Sequence, residues 1–333
     1  MSTATNTKPA PVARSSRPLV DVISQILLRF AVTLFGASVV IFLLLRAVPG
    51  DPARIALGVT ATDEAVAELA HQLGTDRPLI TQYFSWIGGL LTGDFGVSLT
   101  SKQDITPLVL DRAAVSAILA LSAMVLSIAV AVPLGMYLAN RDRKPDAAIL
   151  SALIQVGIAV PSFLVGILAV AVFSVWLGWL PANGWVPPNA NFASFLSHLV
   201  LPVCALTLVQ ASILTRYVRS SVLEEVGKDY VRTSRAVGTP RSVAVRKHAL
   251  KNALLPVLTV TGVQLTSLVV GAVVIERVFV IPGLGSMLLD SVATRDLTTV
   301  QTVLMLLVVF TLLVNLLVDI AYRFIDPRLR RSA

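Results

Sequence analysis

Bond-breaking chemistry needs a nucleophile beside a base, a cluster of metal-ligating side chains or a cradle for phosphate, and the 333-residue sequence offers none of these. Its single cysteine, Cys204, lies inside an apolar run, so neither a disulfide within the chain nor a Cys/His metal spacing can form. His248 has no other histidine near it in sequence, no HExxH is present, and no carboxylate pair falls within an apolar segment. There is no GxxxxGK(S/T) loop and no glycine-rich turn opening a helix after a strand, so the chain is not expected to bind nucleotide. No catalytic residue, metal site or cofactor is expected. The polar groups that remain are of two kinds. Gln155, Gln210, Gln264 and Asn315 sit within apolar runs, where an amide either lines a path for a solute or bonds one helix to another. A second set, between Arg216 and Lys251, is strongly basic.

The pattern of that basic stretch predicts a helix. Val222, Val226, Tyr230, Thr233 and Val237 recur at helical spacing as one apolar stripe, with Lys228, Arg232 and Arg235 off it. Gly238 followed by Pro240 is a stop signal, because glycine accepts a left-handed backbone and proline cannot continue the helix. From these residues alone two readings stay open: a basic loop that obeys topology rules, or a docking site for a cytoplasmic partner.

The elements around these groups must be built in lipid. Hydrophobic residues make up 55% of the chain and charged residues 14%, with a mean hydropathy of +0.80, a balance unsuited to a water-covered surface. The net charge of +8 does not point to nucleic acid, since the basic residues are segregated between apolar runs. The expected fold class is an all-α integral membrane protein with about six transmembrane helices. Residues 1–21 read as a disordered cytoplasmic tail and 22–48 as the first span, too long for a signal h-region and without a cleavage site. Further spans are expected over 113–139, 147–177, 199–215, 252–275 and 297–318, within a transmembrane core of 113–322 that includes the basic segment 216–252; residues 323–333 form the other tail.

Orientation follows from the basic residues, which resist translocation. Twenty of the 27 lysines and arginines fall in the two tails and the second and fourth connections, counting Arg29 near the start of the first span with the first tail, which places both termini in the cytoplasm. The first outside connection, 49–112, is too long for a turn. Thr62 ahead of Asp63 and Glu64, apolar Val66, Leu69 and Leu73, and closing Gly74 predict a capped amphipathic helix, and a second helix is expected over 79–91.

Taken in order, several short motifs resemble one family. They are Pro49-Gly50-Asp51-Pro52, Leu73-Gly74-Thr75-Asp76-Arg77-Pro78-Leu79 with Gln82, Tyr83 and Trp86, and Gly93-Asp94-Phe95-Gly96. Then come the run from Asp229 to Gly238, the run from His248 to Pro256, Glu276-Arg277-Val278-Phe279, Ile281-Pro282-Gly283-Leu284-Gly285, the run from Asn315 to Asp319, and Asp326-Pro327-Arg328. Over nearly the whole chain after the tail, this resembles the B-type permease subunit of bacterial dipeptide and oligopeptide ABC transporters, a family that includes nickel importers. The resemblance implies a type I ABC importer permease fold and partners: a second homologous permease, two ATP-binding cassette ATPases and an extracytoplasmic solute-binding protein. It also implies that the chain itself is not an enzyme and that Tyr230, Arg232, Ser234, Arg235 and Gly238 belong to an ATPase-coupling motif. Ser234 and Val237 stand where the family usually has Ala and Lys. Peptides are the implied cargo, with nickel or another small solute the alternative. An ion-gradient transporter is disfavoured, because the span centres carry no charged residue. Gln155, Gln210 and Gln264 remain candidates for the translocation path.

Overall fold

In lipid no water is available to bond a free amide, so an apolar run must close its backbone hydrogen bonds internally as helix. The computed structural model, which describes residues 19–58 and 60–325, follows this rule with α1 (Leu19–Arg46). The helix begins three residues before the expected first span and includes the end of the segment assigned to the tail; residues 1–18 and 326–333 lie outside the described residues. Three shorter helices make the insertion: α2 (Pro52–Leu57), α3 (Asp63–Leu73) and α4 (Leu79–Thr92). Thr62 caps α3 by accepting the Ala65 N–H, and Gly74 closes it with a left-handed backbone, as the sequence pattern predicts.

Two 35-residue helices, α5 (Thr106–Asn140) and α8 (Phe192–Val226), form the centre. At 1.5 Å per residue each is about 50 Å long, well beyond the roughly 30 Å hydrocarbon layer. Both therefore outrun the spans read from hydropathy. They pack through Leu119, Ala123, Leu206 and Leu214. Where they cross, a Cβ on Gly135 would stand 2.6 Å from the Val218 side chain, so the close approach requires glycine.

Between them the expected third span, 147–177, is broken at Pro161. Helix α6 (Pro145–Ala159) and helix α7 (Ser162–Ala169), continued by a π-wound turn over Val170–Trp176, are bent by 100°. Pro161 supplies no N–H, and Val160 before it is extended at ψ 126°. The bent pair still traverses the bundle. Asp142, just before it, bonds Arg219 of α8 at 2.9 Å; Gly157 lies against Leu208 and Ser212; and past its end the Gly184 N–H donates to Phe279 O at 2.8 Å. With this pair the described residues hold six candidate crossings.

The chain continues through α9 (Asp229–Ala236), the single turn α10 (Arg241–Ala244), a π-wound turn over Val245–Ala249, α11 (Leu250–Val278), α12 (Leu284–Ala293) and α13 (Leu297–Ile325). Leu268, Ala272 and Ile275 of α11 complete the core beside α5 and α8. The only strand-like pairing among the described residues is an isolated bridge between Val97 and Asp104.

Candidate functional site

The two ends of the bundle are built differently. At the insertion end, fully buried Glu276 near the close of α11 accepts from Ser116 Oγ of α5 at 2.6 Å and from the Ser286 N–H of α12 at 3.0 Å. The side chain of Asp296, also buried, caps α13. It accepts from Ser98 Oγ at 2.5 Å and the Leu99 N–H at 3.0 Å in the insertion, and from Thr299 Oγ1 at 2.7 Å. The first carboxylate cross-links α11 to α5 and α12, and the second the start of α13 to the insertion.

At the opposite end α9 hangs between two spans. The expected helix through 222–237 is broken: α8 stops at Val226, Gly227 turns the chain and Lys228 is extended at ψ 152° before α9 begins. The apolar stripe is therefore split: Val222 is buried and Val226 half-buried on α8, but its α9 part is not the buried face. Tyr230, Thr233 and Val237 are exposed, Val237 at 83%, and the fully buried residue of α9 is Val231. Val231 inserts among Ala139, Val218, Val222, Ala244, Val245 and Ala249, at the joint of α5, α8 and the α10–α11 entry. A signal was present in the sequence: Gly227 interrupts the repeat two residues before Asp229, an acid suited to a first helical turn.

A second anchor is Glu225, buried at the end of α8. Lys228 Nζ and Tyr230 Oη both donate to its carboxylate, and Asn252 Nδ2 at the start of α11 donates to Tyr230 Oη at 3.0 Å. Burial first, and then the bond to Glu225, holds the Tyr230 phenol above its ordinary pKa; the Glu225 bond likewise raises the Lys228 ammonium. Both groups thus keep their protons at neutral pH and remain donors. Sequence reasoning selected Tyr230 but missed Glu225, whose type and position resemble those of any solvated acid.

Helix α9 ends with the Gly238 N–H donating to Arg235 O at 3.0 Å and the Thr239 N–H to Ser234 O at 3.2 Å, while Gly238 takes φ +93°. No atom lies within 4 Å of a Cβ built there, so backbone angle and not space demands glycine. Arg232 faces Asp229 at 3.6 Å, an exposed pair of little energetic weight, and Arg235 has no ion-pair partner among the described residues. Ser234 is half-buried. Tyr230, Arg232, Ser234, Arg235 and Gly238 are thus brought together on one short element, with two cationic side chains and an exposed valine facing outward.

The intramembrane amides divide. Gln264 Nε2 of α11 donates to Gln210 Oε1 of α8 at 2.9 Å, and Gln210 Nε2 donates back to Gln264 O at 3.1 Å. Gln155 is exposed on α6 and bonds to neither. The side chain of His248 lies outside the described residues.

Comparison with known proteins assigns this architecture. Residues 131–331 match the family of binding-protein-dependent transport system inner membrane components, and residues 20–121 match its N-terminal companion. The chain belongs to this family. A putative peptide transport system permease protein of Brucella abortus is 39% identical, across 88% of this chain and 93% of its own. A probable peptide ABC transporter permease protein of Sinorhizobium fredii is 37% identical (88% and 94%), and the glutathione transport system permease protein of Escherichia coli K12 is 36% identical (90% and 95%). Among solved structures, the inward-facing MetNI methionine ABC transporter aligns at TM-score 0.56 with 20% identity, over 67% of this chain and 98% of that one. This supports the permease fold. The permease is accordingly a multi-pass inner-membrane protein of ABC transport systems.

Proposed function

We propose that this permease is one membrane-spanning subunit of an ATP-driven importer of di- or oligopeptides, with both termini in the cytoplasm. The peptide class is supported by the names of its relatives, which are peptide and glutathione permeases, glutathione being a tripeptide. In this reading α9 is the coupling helix that seats on an ATPase subunit. Two such ATPases, a second homologous permease and an extracytoplasmic solute-binding protein complete the system, and the permease itself catalyses nothing.

The observation that carries the proposal is the mounting of α9. A short helix with Arg232, Arg235 and Val237 outward is fastened by Val231 and Glu225 to the ends of α5, α8 and α11, so a push on it reaches three long helices at once. Closure of the ATPases would thus be transmitted along α8, whose length beyond the bilayer makes it a lever. Gln210, Gln264 and Gln155 remain path candidates in this reading, the first two presenting a paired surface and Gln155 an unpaired one.

The test is Gly238→Val and Arg235→Glu, scored for uptake and co-purified ATPase at matched membrane levels. A valine at φ +93° costs about 1–2 kcal/mol at the helix end, and the charge reversal opposes the docking face. Both variants are expected to insert normally, to bind ATPase weakly and to lose uptake. Unchanged transport in both overturns the coupling assignment.

A further inference from the structure

At the insertion end a recess of about 330 Å³ lies between the end of α1, the α3–α4 turn, α4 and the start of α13. Three of its lining residues carry a buried polar atom without a hydrogen-bond partner: Arg46 Nε and Trp86 Nε1, both donors, and Gln82 Oε1, an acceptor. Arg77 adds a second cation, and Asp94 a carboxylate whose Oδ1 already takes the Gly96 N–H at 2.9 Å. Buried polar atoms are normally paired, so several unpaired ones around one recess describe a site for a polar guest. Its donors suit an anion, while Gln82 Oε1 and Asp94 suit an ammonium group beside it.

The position of the recess selects the source of that zwitterion. Arg46 closes the apolar span Ile23–Arg46, the depth at which hydrocarbon gives way to headgroups. Helix α4 carries no charged residue in 14 and exposes Ile80, Phe84 and Leu91. It packs on α1 through Tyr83, between Phe35 and Phe42, and through Trp86, stacked on Phe42 at 6.2 Å. With apolar side chains exposed alongside a span, and Tyr83 and Trp86 packed near its end, α4 belongs at the lipid interface, where such aromatic residues collect. We propose that the recess holds the phosphoethanolamine head of a phospholipid, its phosphate on Arg46, Arg77 and Trp86 Nε1 and its ammonium on Gln82 Oε1 and Asp94, with the acyl chains along α4.

The test uses the full chain purified in mild detergent, offered equal amounts of palmitoyl-oleoyl phosphatidylethanolamine, phosphatidylglycerol and phosphatidylcholine, with retained lipid read by native mass spectrometry. One phosphatidylethanolamine per chain is expected in preference to the other two. Trp86→Phe keeps the ring on Phe42 but removes the donor, and should lower retention roughly tenfold. Asp94→Asn, at an exposed position, should remove the preference over phosphatidylglycerol and serves as the decisive variant if Trp86→Phe folds poorly. Equal retention of all three lipids, or phosphatidylethanolamine retention unchanged in both variants, overturns the site. Displacement of the lipid by inorganic phosphate or by free diglycine identifies a soluble ion or peptide as the guest and overturns the lipid assignment.

Discussion

The insertion end and the α9 end solve opposite problems with the same residue type. At the first, Glu276 and Asp296 are buried carboxylates that receive bonds from several elements, cross-linking α11 to α5 and α12, and the start of α13 to the insertion. At the second, one carboxylate, Glu225, and one valine, Val231, hold a helix of eight residues whose other side faces outward. Dense anchoring makes a rigid end. Sparse anchoring at the meeting point of three helices makes an element that can be pushed without unfolding its surroundings.

Breaking the rigid end should have the largest effect. Asp296→Ala strands Ser98 Oγ, the Leu99 N–H and Thr299 Oγ1 in buried surroundings, for a loss of about 3 kcal/mol. It is expected to lower the thermal midpoint in detergent by several degrees and to expose residues 98–104 to protease; a midpoint equal to wild type removes the claim of a rigid end. At the other end, Val231→Ala should cost about 2 kcal/mol, but locally. Hydrogen exchange should quicken over 229–238 with the thermal midpoint nearly unchanged, and uptake should fall. If the midpoint falls as far as in Asp296→Ala, the two ends are not mounted differently.

Tyr230→Phe removes the bridge from Glu225 to Asn252 at about 1–2 kcal/mol and should weaken uptake several-fold while ATPase still co-purifies. The smallest effect belongs to the membrane interior: Gln210→Leu and Gln264→Leu, measured singly and together, should show a coupling near 0.6 kcal/mol. A coupling of zero would show that the pair does not bond in the membrane.

The sequence disclosed what depends on local chemistry. The caps of α3, the positive φ of Gly238 and the long apolar helices follow from residue type and spacing alone. What stayed hidden depends on contacts distant in sequence. The stripe through Val222 and Val237 assumed one continuous helix, but Gly227 rotates the register and Val231 becomes the buried residue. Glu225 and Asp296 resemble surface acids until their partners are known, Ser98 being 198 residues from Asp296. The 100° bend was signalled by Pro161, but hydropathy averages over such a break.

The central claim, that the outer face of α9 meets the ATPase while Val231 faces the permease, is tested most directly by cross-linking. In a Cys204→Ala background, Val237→Cys and Val231→Cys are placed one at a time in the assembled importer and treated with a short thiol-to-amine linker. The account expects Val237→Cys, on the exposed side, to join the ATPase subunit and Val231→Cys to remain unreacted. An ATPase adduct from Val231→Cys, or none from Val237→Cys while uptake is intact, would contradict it.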